Sequence, residues 1–430
     1  MTVPGFVRFA GAGVLAALLA ACAQNASSNA GGASSSAPAP SGAPGSAAPA
    51  NRTTVKVGID MPLSGADASD GQPTANGAIL AIEQADARGV GGGRFTVQPD
   101  LLDDAVQGKH DPAAGAQNVK TFIGDPSVLA MVGPFNSNVA KSEIPLTNDA
   151  GLAQIAPSTV ADGLTVGPDA AALRESHPDV NAFFRVCTRD SRQGAALATF
   201  ALKRGLKRIY VVDDNETYGK DLADVFTADL ARHGGTVLGR DHITANQQDF
   251  RALLTKAKAL APQAVFFGGT TSTGGGLIRR QMADAGMRSV PFIGGDGISD
   301  ETFVQQAGDM ANGTYYAVAA PDAEKLPSAQ AFVAAYRKRF GAAPGPYSAN
   351  AYAAAQVALA AIDKGIAAEN GGVPTRAEVL HAVARTHGLA TPIGTIGFDS
   401  HGDTTAPILT LVEIVGGKPR TVDQIVLPAS

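Results

Sequence analysis

The chain has 430 residues, room for two or three domains with sizeable cores. A net charge of -5 with only 17% charged residues supplies no basic field for nucleic acid. Its two cysteines, Cys22 and Cys187, rule out a disulfide framework.

Residues 1–22 carry one cation, Arg8, then an apolar run from Phe9 to Ala21, the pattern of a secretory signal. At about 13 residues the run is too short to span a bilayer, which takes roughly 20. Its end, Leu19-Ala20-Ala21-Cys22, resembles a bacterial lipobox, which implies cleavage before Cys22 and a lipid on its sulfur. The plainer alternative is an ordinary signal with Cys22 incidental. From Ala23 to Asn51 only Ala, Ser, Gly, Pro, Asn and Gln occur, so residues 23–53 read as a disordered tether that cannot bury a core. A flexible chain of about 30 residues spans roughly 30 Å, enough to hold a folded body just off a membrane.

The folded part opens with a strand at Val55 to Ile59, a Gly/Ser loop and a helix from Ala75 to Ala87. Strand Phe95 to Leu102, helix Pro112 to Ile123 and strand Val128 to Val132 follow. After Val132 a Gly133-Pro134 break leads into Phe135-Asn136-Ser137-Asn138, residue types that cap a helix. A second apolar run, Leu152 to Ala156, again ends in hydroxyls at Ser158 and Thr159. Further strands are expected at Phe183 to Cys187, Arg208 to Val212, Thr236 to Ile243, Ala264 to Phe267, Pro291 to Ile293 and Thr314 to Val318, most of them separated by amphipathic helical runs. Such alternation predicts βαβ units and parallel sheets. Beyond Ala320 the pattern turns helical (Ser328 to Phe340, Ala349 to Ile366, Thr375 to Arg385), then ends in short strands with glycine turns. No stretch of the body is long and apolar enough for a membrane helix.

Ligands of open parallel sheets bind beyond the carboxyl ends of the strands, and helix N-termini there favour anions. The loops at Asn136-Ser137 and Ser158-Thr159 therefore suggest a carboxylate site. Asp296, in Phe292-Ile293-Gly294-Gly295-Asp296-Gly297, presents one carboxylate where glycines permit close approach, and together the two ends have the polarity of an α-amino acid. The alternative reading of Asp296 is a cap on the segment that starts at Ile298.

Other motifs have plainer explanations. Gly269 to Gly276 lacks the Lys-Ser/Thr of a phosphate loop, the seven histidines show no metal-site spacing, and His401 sits in turn composition. Asp103-Asp104 and Asp213-Asp214 read as caps and solvated loop residues, and Cys187 as a buried small hydrophobe. No nucleophile and base constellation, cofactor motif or metal site is apparent.

In order and spacing, KVGIDMPLSG, Asn76-Gly77-Ala78, VGPFNSN, IAPS, Arg185 with Gln193-Gly194, DDNETYGK, FFGG, FIGGDG and GFDSHGD resemble the type I periplasmic binding proteins, specifically the leucine/isoleucine/valine receptors of ABC importers, from about Val55 to Val426. The resemblance implies an α/β fold of two lobes, each a mainly parallel sheet flanked by helices and joined by crossing hinge segments. By the family pattern residues 54–186 and 321–404 form one lobe and 187–320 and 405–430 the other. It implies a carboxylate held by Ser137 and by Ser158 with Thr159, a lobe-closing Tyr218 and an ammonium on Asp296, with Asn136 also among the ligand-binding residues. The expected protein is an extracytoplasmic, lipid-anchored monomer that binds an amino acid, transforms nothing, and serves a membrane permease and its ATPase. Thr270 and Asp70 stand where aromatic wall residues are usual, Val160 stands where a threonine can occur, and Tyr347 is the remaining aromatic expected near the cleft. These departures keep open a more polar ligand, or an amide, urea or aromatic acid, or a sensor role toward a signalling partner.

Overall fold

Strands apolar at every position must lie between two layers of helix, and Val128–Val132 and Ala264–Gly268 are buried at every residue. The computed structural model describes residues 52–244 and 246–427. The signal segment, the lipidation site Cys22 and the tether expected from the sequence lie outside the described residues, apart from the last two tether positions, 52 and 53.

One sheet has five parallel strands in the order Phe95–Asp103, Thr53–Met61, Val128–Val132, Ala153–Ala156, Phe183–Arg185. Strand Val128–Val132 serves both layers. Leu129, Ala130 and Val132 join the core shared with helices Ala68–Arg88 and Ser348–Ala368, while Val128 and Met131 join Val119 and Phe122 of helix Pro112–Gly124. Helices Ala68–Arg88 and Ser348–Ala368 pack in contact because of Gly77, where a Cβ would stand 2.0 Å from the Ser348 carbonyl. The first of these helices begins well before the expected Ala75. Gly71 and Pro73 obscure its start in the sequence as poor helix formers, yet Gly71 is what fits there, since a Cβ would lie 1.9 Å from the Pro62 carbonyl.

The second sheet has seven strands in the order Lys418–Val426, Ile408–Val415, Thr314–Val318, Phe292–Gly294, Ala264–Gly268, Arg208–Asp213, Thr236–His242. Its last five are parallel, and the C-terminal hairpin joins them antiparallel. It has its own core, centred on residues such as Phe226, Phe266 and Phe292. The chain crosses between the sheets after Phe183–Arg185, after Thr314–Val318 and after Gly394–Ile396.

The first sheet hides an acidic cluster. Asp60, Asp104 and Glu143 are all 0% exposed, with Asp60 accepting from Asn118 at 2.6 Å and Glu143 from Gln154 at 2.6 Å. Burial pushes the Asp60 carboxyl up to about 6 and the Glu143 carboxyl well above its usual range. The folded protein therefore holds protons that the unfolded chain releases above about pH 4, so stability falls as pH rises through the folded values. Glu143→Gln is expected to raise the unfolding midpoint at pH 8 and flatten its pH dependence, by an amount on the order of 1–2 kcal/mol. Thermal melts from pH 5 to 8 would show this, and an unchanged profile would refute it.

Candidate functional site

At the carboxyl end of Val128–Val132 the chain turns into helix Ser137–Ala150, and at the end of Ala153–Ala156 it enters the loop from Pro157 to Ala161. The two loops are stitched together. Ser158 Oγ donates to the Phe135 carbonyl at 2.9 Å, and the Ala161 N–H donates to Ser137 Oγ at 3.3 Å. Because Ser137 accepts here, its own hydroxyl proton remains available to an anion. Arg185, 0% exposed, grips the second loop: Nη1 donates to the carbonyls of Thr159 and Ala161 at 2.9 and 2.8 Å, and Nη2 to the Thr165 hydroxyl. Its Nε donates to Asp403 Oδ1 at 2.6 Å.

Opposite, helix Thr217–Arg232 lies against the end of strand Ala264–Gly268 at a glycine contact, for a Cβ on Gly268 would meet the Gly219 carbonyl at 2.2 Å. That approach sets Tyr218 beside Asp296. Tyr218 Oη donates to Asp296 Oδ1 at 2.7 Å and accepts from the Gly297 N–H at 3.1 Å. Tyr347 Oη donates to Asp296 Oδ2 and accepts from the Ala319 N–H at 3.1 Å. Burial pushes the Asp296 carboxyl up, against the hydrogen bonds of Tyr347, Tyr218 and Gln193, which favour the carboxylate.

Between these walls lies a cavity of about 30 Å³. From the segments of the five-stranded sheet it is lined by His110, Phe135, Asn136, Ser137, Asn138, Ser158 and Val160, and from those of the seven-stranded sheet by Glu216, Tyr218, Thr270, Asp296 and Gly297. Hydroxyls and the start of a 14-residue helix thus share a cavity with two carboxylates, Asp296 and Glu216.

Seven of the residues singled out from the sequence, Asn136, Ser137, Ser158, Val160, Tyr218, Thr270 and Asp296, line this cavity, while Thr159, Tyr347 and Asp70 do not. Thr159 Oγ1 is buried without a partner. Tyr347 stands behind the lining, with its hydroxyl on Asp296 and its ring edge-on to Phe135 at 5.6 Å. Asp70, in the first turn of helix Ala68–Arg88, is 8% exposed, and its carboxyl is pushed well up by burial and by Asp300, Asp67 and Asp296.

Sequence reasoning missed the other polar wall. His110 is held between Asp67 Oδ2 at 2.7 Å through Nδ1 and Glu216 Oε2 at 2.9 Å through Nε2, and Asn138 Nδ2 donates to the same Glu216 oxygen at 3.0 Å. Burial alone would lower the His110 pKa, but the two carboxylates raise it well above the ordinary value. His110 and Glu216 are 106 residues apart, so no local pattern announces the pair.

The acidic pairs also differ from expectation. Asp104 and Asp213 are fully buried rather than solvated. Asp213 is paired with Arg240 and His242, each at 2.6 Å, and Asp103 does cap its loop by accepting from Leu63 and Ala105 N–H groups. Cys187 is buried and free, and His401 lies in a turn whose N–H donates to Asp399. Among the described residues no group of His, Cys, Asp and Glu is arranged to hold a metal ion, and no helix is long and apolar enough to cross a membrane.

Residues 54–418 match a sequence family described as periplasmic binding protein. The chain is 31% identical over 366 residues to the Leu/Ile/Val-binding protein homolog 3 of Brucella melitensis, covering 85% of this chain and 92% of that one. Among solved structures it resembles the branched-chain amino acid transporter substrate binding protein LivJ of Streptococcus pneumoniae in complex with isoleucine (TM-score 0.73, 25% identity, covering 87% of this chain and 100% of that one). The solute binding protein of an ABC transporter from R. palustris in complex with benzoate shares the fold at TM-score 0.72 and 21% identity, covering 88% of this chain and 97% of that one.

Proposed function

The chain belongs to the periplasmic binding protein family, and from that premise we propose that it is the extracytoplasmic solute receptor of an ABC importer. It binds an α-amino acid between its lobes and hands it unchanged to a membrane permease and its ATPase. Lipid on Cys22 and the tether to residue 53 hold it, as a monomer, at the membrane. The lobes are residues 54–186 with 321–404 and residues 187–320 with 405–430.

The observation that carries this reading is the opposed polarity of one cavity: Ser137, Ser158 and a helix N-terminus on one wall, and Asp296 on the other. Ser137 and the helix N–H groups receive the ligand carboxylate, and Asp296 receives the ammonium. Closure of the two lobes removes water from both contacts, and micromolar binding needs only about -8 kcal/mol from them. Calorimetric titration of the protein without its first 51 residues against amino acids, amides, urea and aromatic acids tests it. Silence toward every α-amino acid would sink the reading. One observation favours a second candidate, an anion without an ammonium: both Asp296 oxygens already accept a tyrosine hydroxyl. Binding of an aromatic acid alone would select it.

The His110 bridge makes closure depend on pH. Asp67 belongs to the same lobe as His110, Glu216 comes from the other, and Asp104 and Asp214 also act on the imidazole. Opening removes Glu216, so the closed form has the higher His110 pKa and closure takes up a proton between the two values. The extra affinity is complete below the open-form pKa and is lost as pH rises through the closed-form value. Ligand affinity is expected to fall roughly threefold to tenfold over that window, and His110→Gln is expected to abolish the fall. A pH dependence of the dissociation constant that is the same in His110→Gln as in the unaltered protein would refute it.

A further inference from the structure

The cavity contains an unmet polar group. Asn136 is 9% exposed, lines the cavity, and its buried Oδ1 has no hydrogen-bond partner. An isolated amide oxygen in such a place calls for a donor from the ligand. Nearby walls are polar too: Asn138, Glu216 and His110 are tied to one another, and Thr270 Oγ1 is hydrogen-bonded with Ser272 at 2.9 Å. The apolar lining comes mainly from Phe135, Val160 and the Tyr218 ring. The apolar lining is small, so a branched aliphatic side chain gains little apolar surface there.

We infer that the ligand is a compact α-amino acid whose short side chain donates a hydrogen bond, a hydroxyl amino acid of serine or threonine size, and that Asn136 reads that side chain. This rests on the amino-acid reading of the same cavity and narrows it. The relatives named for leucine, isoleucine and valine differ from this chain in ligand on this account. Threonine and valine make the sharpest comparison, because they differ only by a hydroxyl in place of a methyl. A site built to satisfy a polar group rejects the analogue that lacks its partner far more strongly than an apolar pocket rejects an added methylene.

Calorimetric titration of the tether-free protein with serine, threonine, valine and leucine tests this directly. Threonine is expected to bind at least tenfold more tightly than valine, and Asn136→Leu is expected to erase that ratio while the protein melts normally. If valine or leucine binds as tightly as threonine, the inference is overturned and the amino-acid reading stands. If none of the four binds, nor any other α-amino acid, the reading beneath it fails as well. Should Asn136→Leu not fold, the threonine-to-valine ratio of the unaltered protein still separates these outcomes.

Discussion

Asp296→Asn is expected to weaken α-amino acid binding by roughly 10- to 150-fold, the range that loss of a charge-assisted hydrogen bond worth about 1.5–3 kcal/mol implies. The carboxylate does two jobs. It would face the ligand ammonium, and it accepts the hydroxyls of Tyr218 and Tyr347. Each phenolic oxygen already accepts a backbone N–H, from Gly297 and from Ala319, so each phenolic proton needs an acceptor. An amide has one acceptor oxygen, and one tyrosine would be left facing an NH2 group. The substitution therefore removes the charge and also disturbs the wall of the cavity. Tyr347→Phe separates the two effects, since it keeps the charge and the Tyr218 contact while deleting only the Tyr347 hydroxyl, with its bond to Asp296 and the one it accepts from the Ala319 N–H; about a threefold loss is expected. Equal losses in both variants would mean that Asp296 holds the tyrosines rather than an ammonium. Unchanged affinity in Asp296→Asn would show that the ligand carries no cation there.

The two sheets were legible in the sequence because buried parallel strands are written as apolar runs. Val128–Val132 and Thr314–Val318 fall where expected to the residue, and the other strands differ at their ends by one or two. Helix Ala68–Arg88 was legible only in its later turns, because Gly71 and Pro73 weaken the signal and their reason is a contact with Pro62 that the local sequence does not contain. The same limit applies to the cavity. Ser137, Ser158 and Asp296 could be named because each follows a recognisable strand end, and Tyr218 because of the family resemblance. The bridge from Asp67 through His110 to Glu216 could not, since it joins residues 43 and 106 positions apart. Its members look like ordinary loop residues until the chain folds. Buried Asp104 is a comparable case, as residue type alone favours a solvated loop acid and only the packing of Asp60 and Glu143 around it says otherwise.

Arg185→Met should be the most destabilising of these substitutions, at about 3–5 kcal/mol, because it strands a buried charge. Asp403 is 3% exposed and would keep only Arg189 Nε at 3.4 Å and the Thr165 hydroxyl at 3.1 Å. The carbonyls of Thr159 and Ala161 would also lose their shared donor. With an unfolding entropy of about 2 cal/mol/K per residue, a loss of that size lowers the melting midpoint of a body this long by roughly 5 °C. Asp403→Asn in the same chain removes the stranded charge and is expected to restore about half of the loss, whereas additive losses would show that the ion pair is not the cause. Function is tied to the same side chain. Arg185 holds the carbonyls of the loop whose Ala161 N–H orients the Ser137 hydroxyl, so the single variant is expected to weaken ligand binding severalfold even at temperatures where it is fully folded. The double variant regains stability but not the loop carbonyl contacts, so its affinity should stay low. Recovery of both together would mean that Arg185 acts on the site through stability alone.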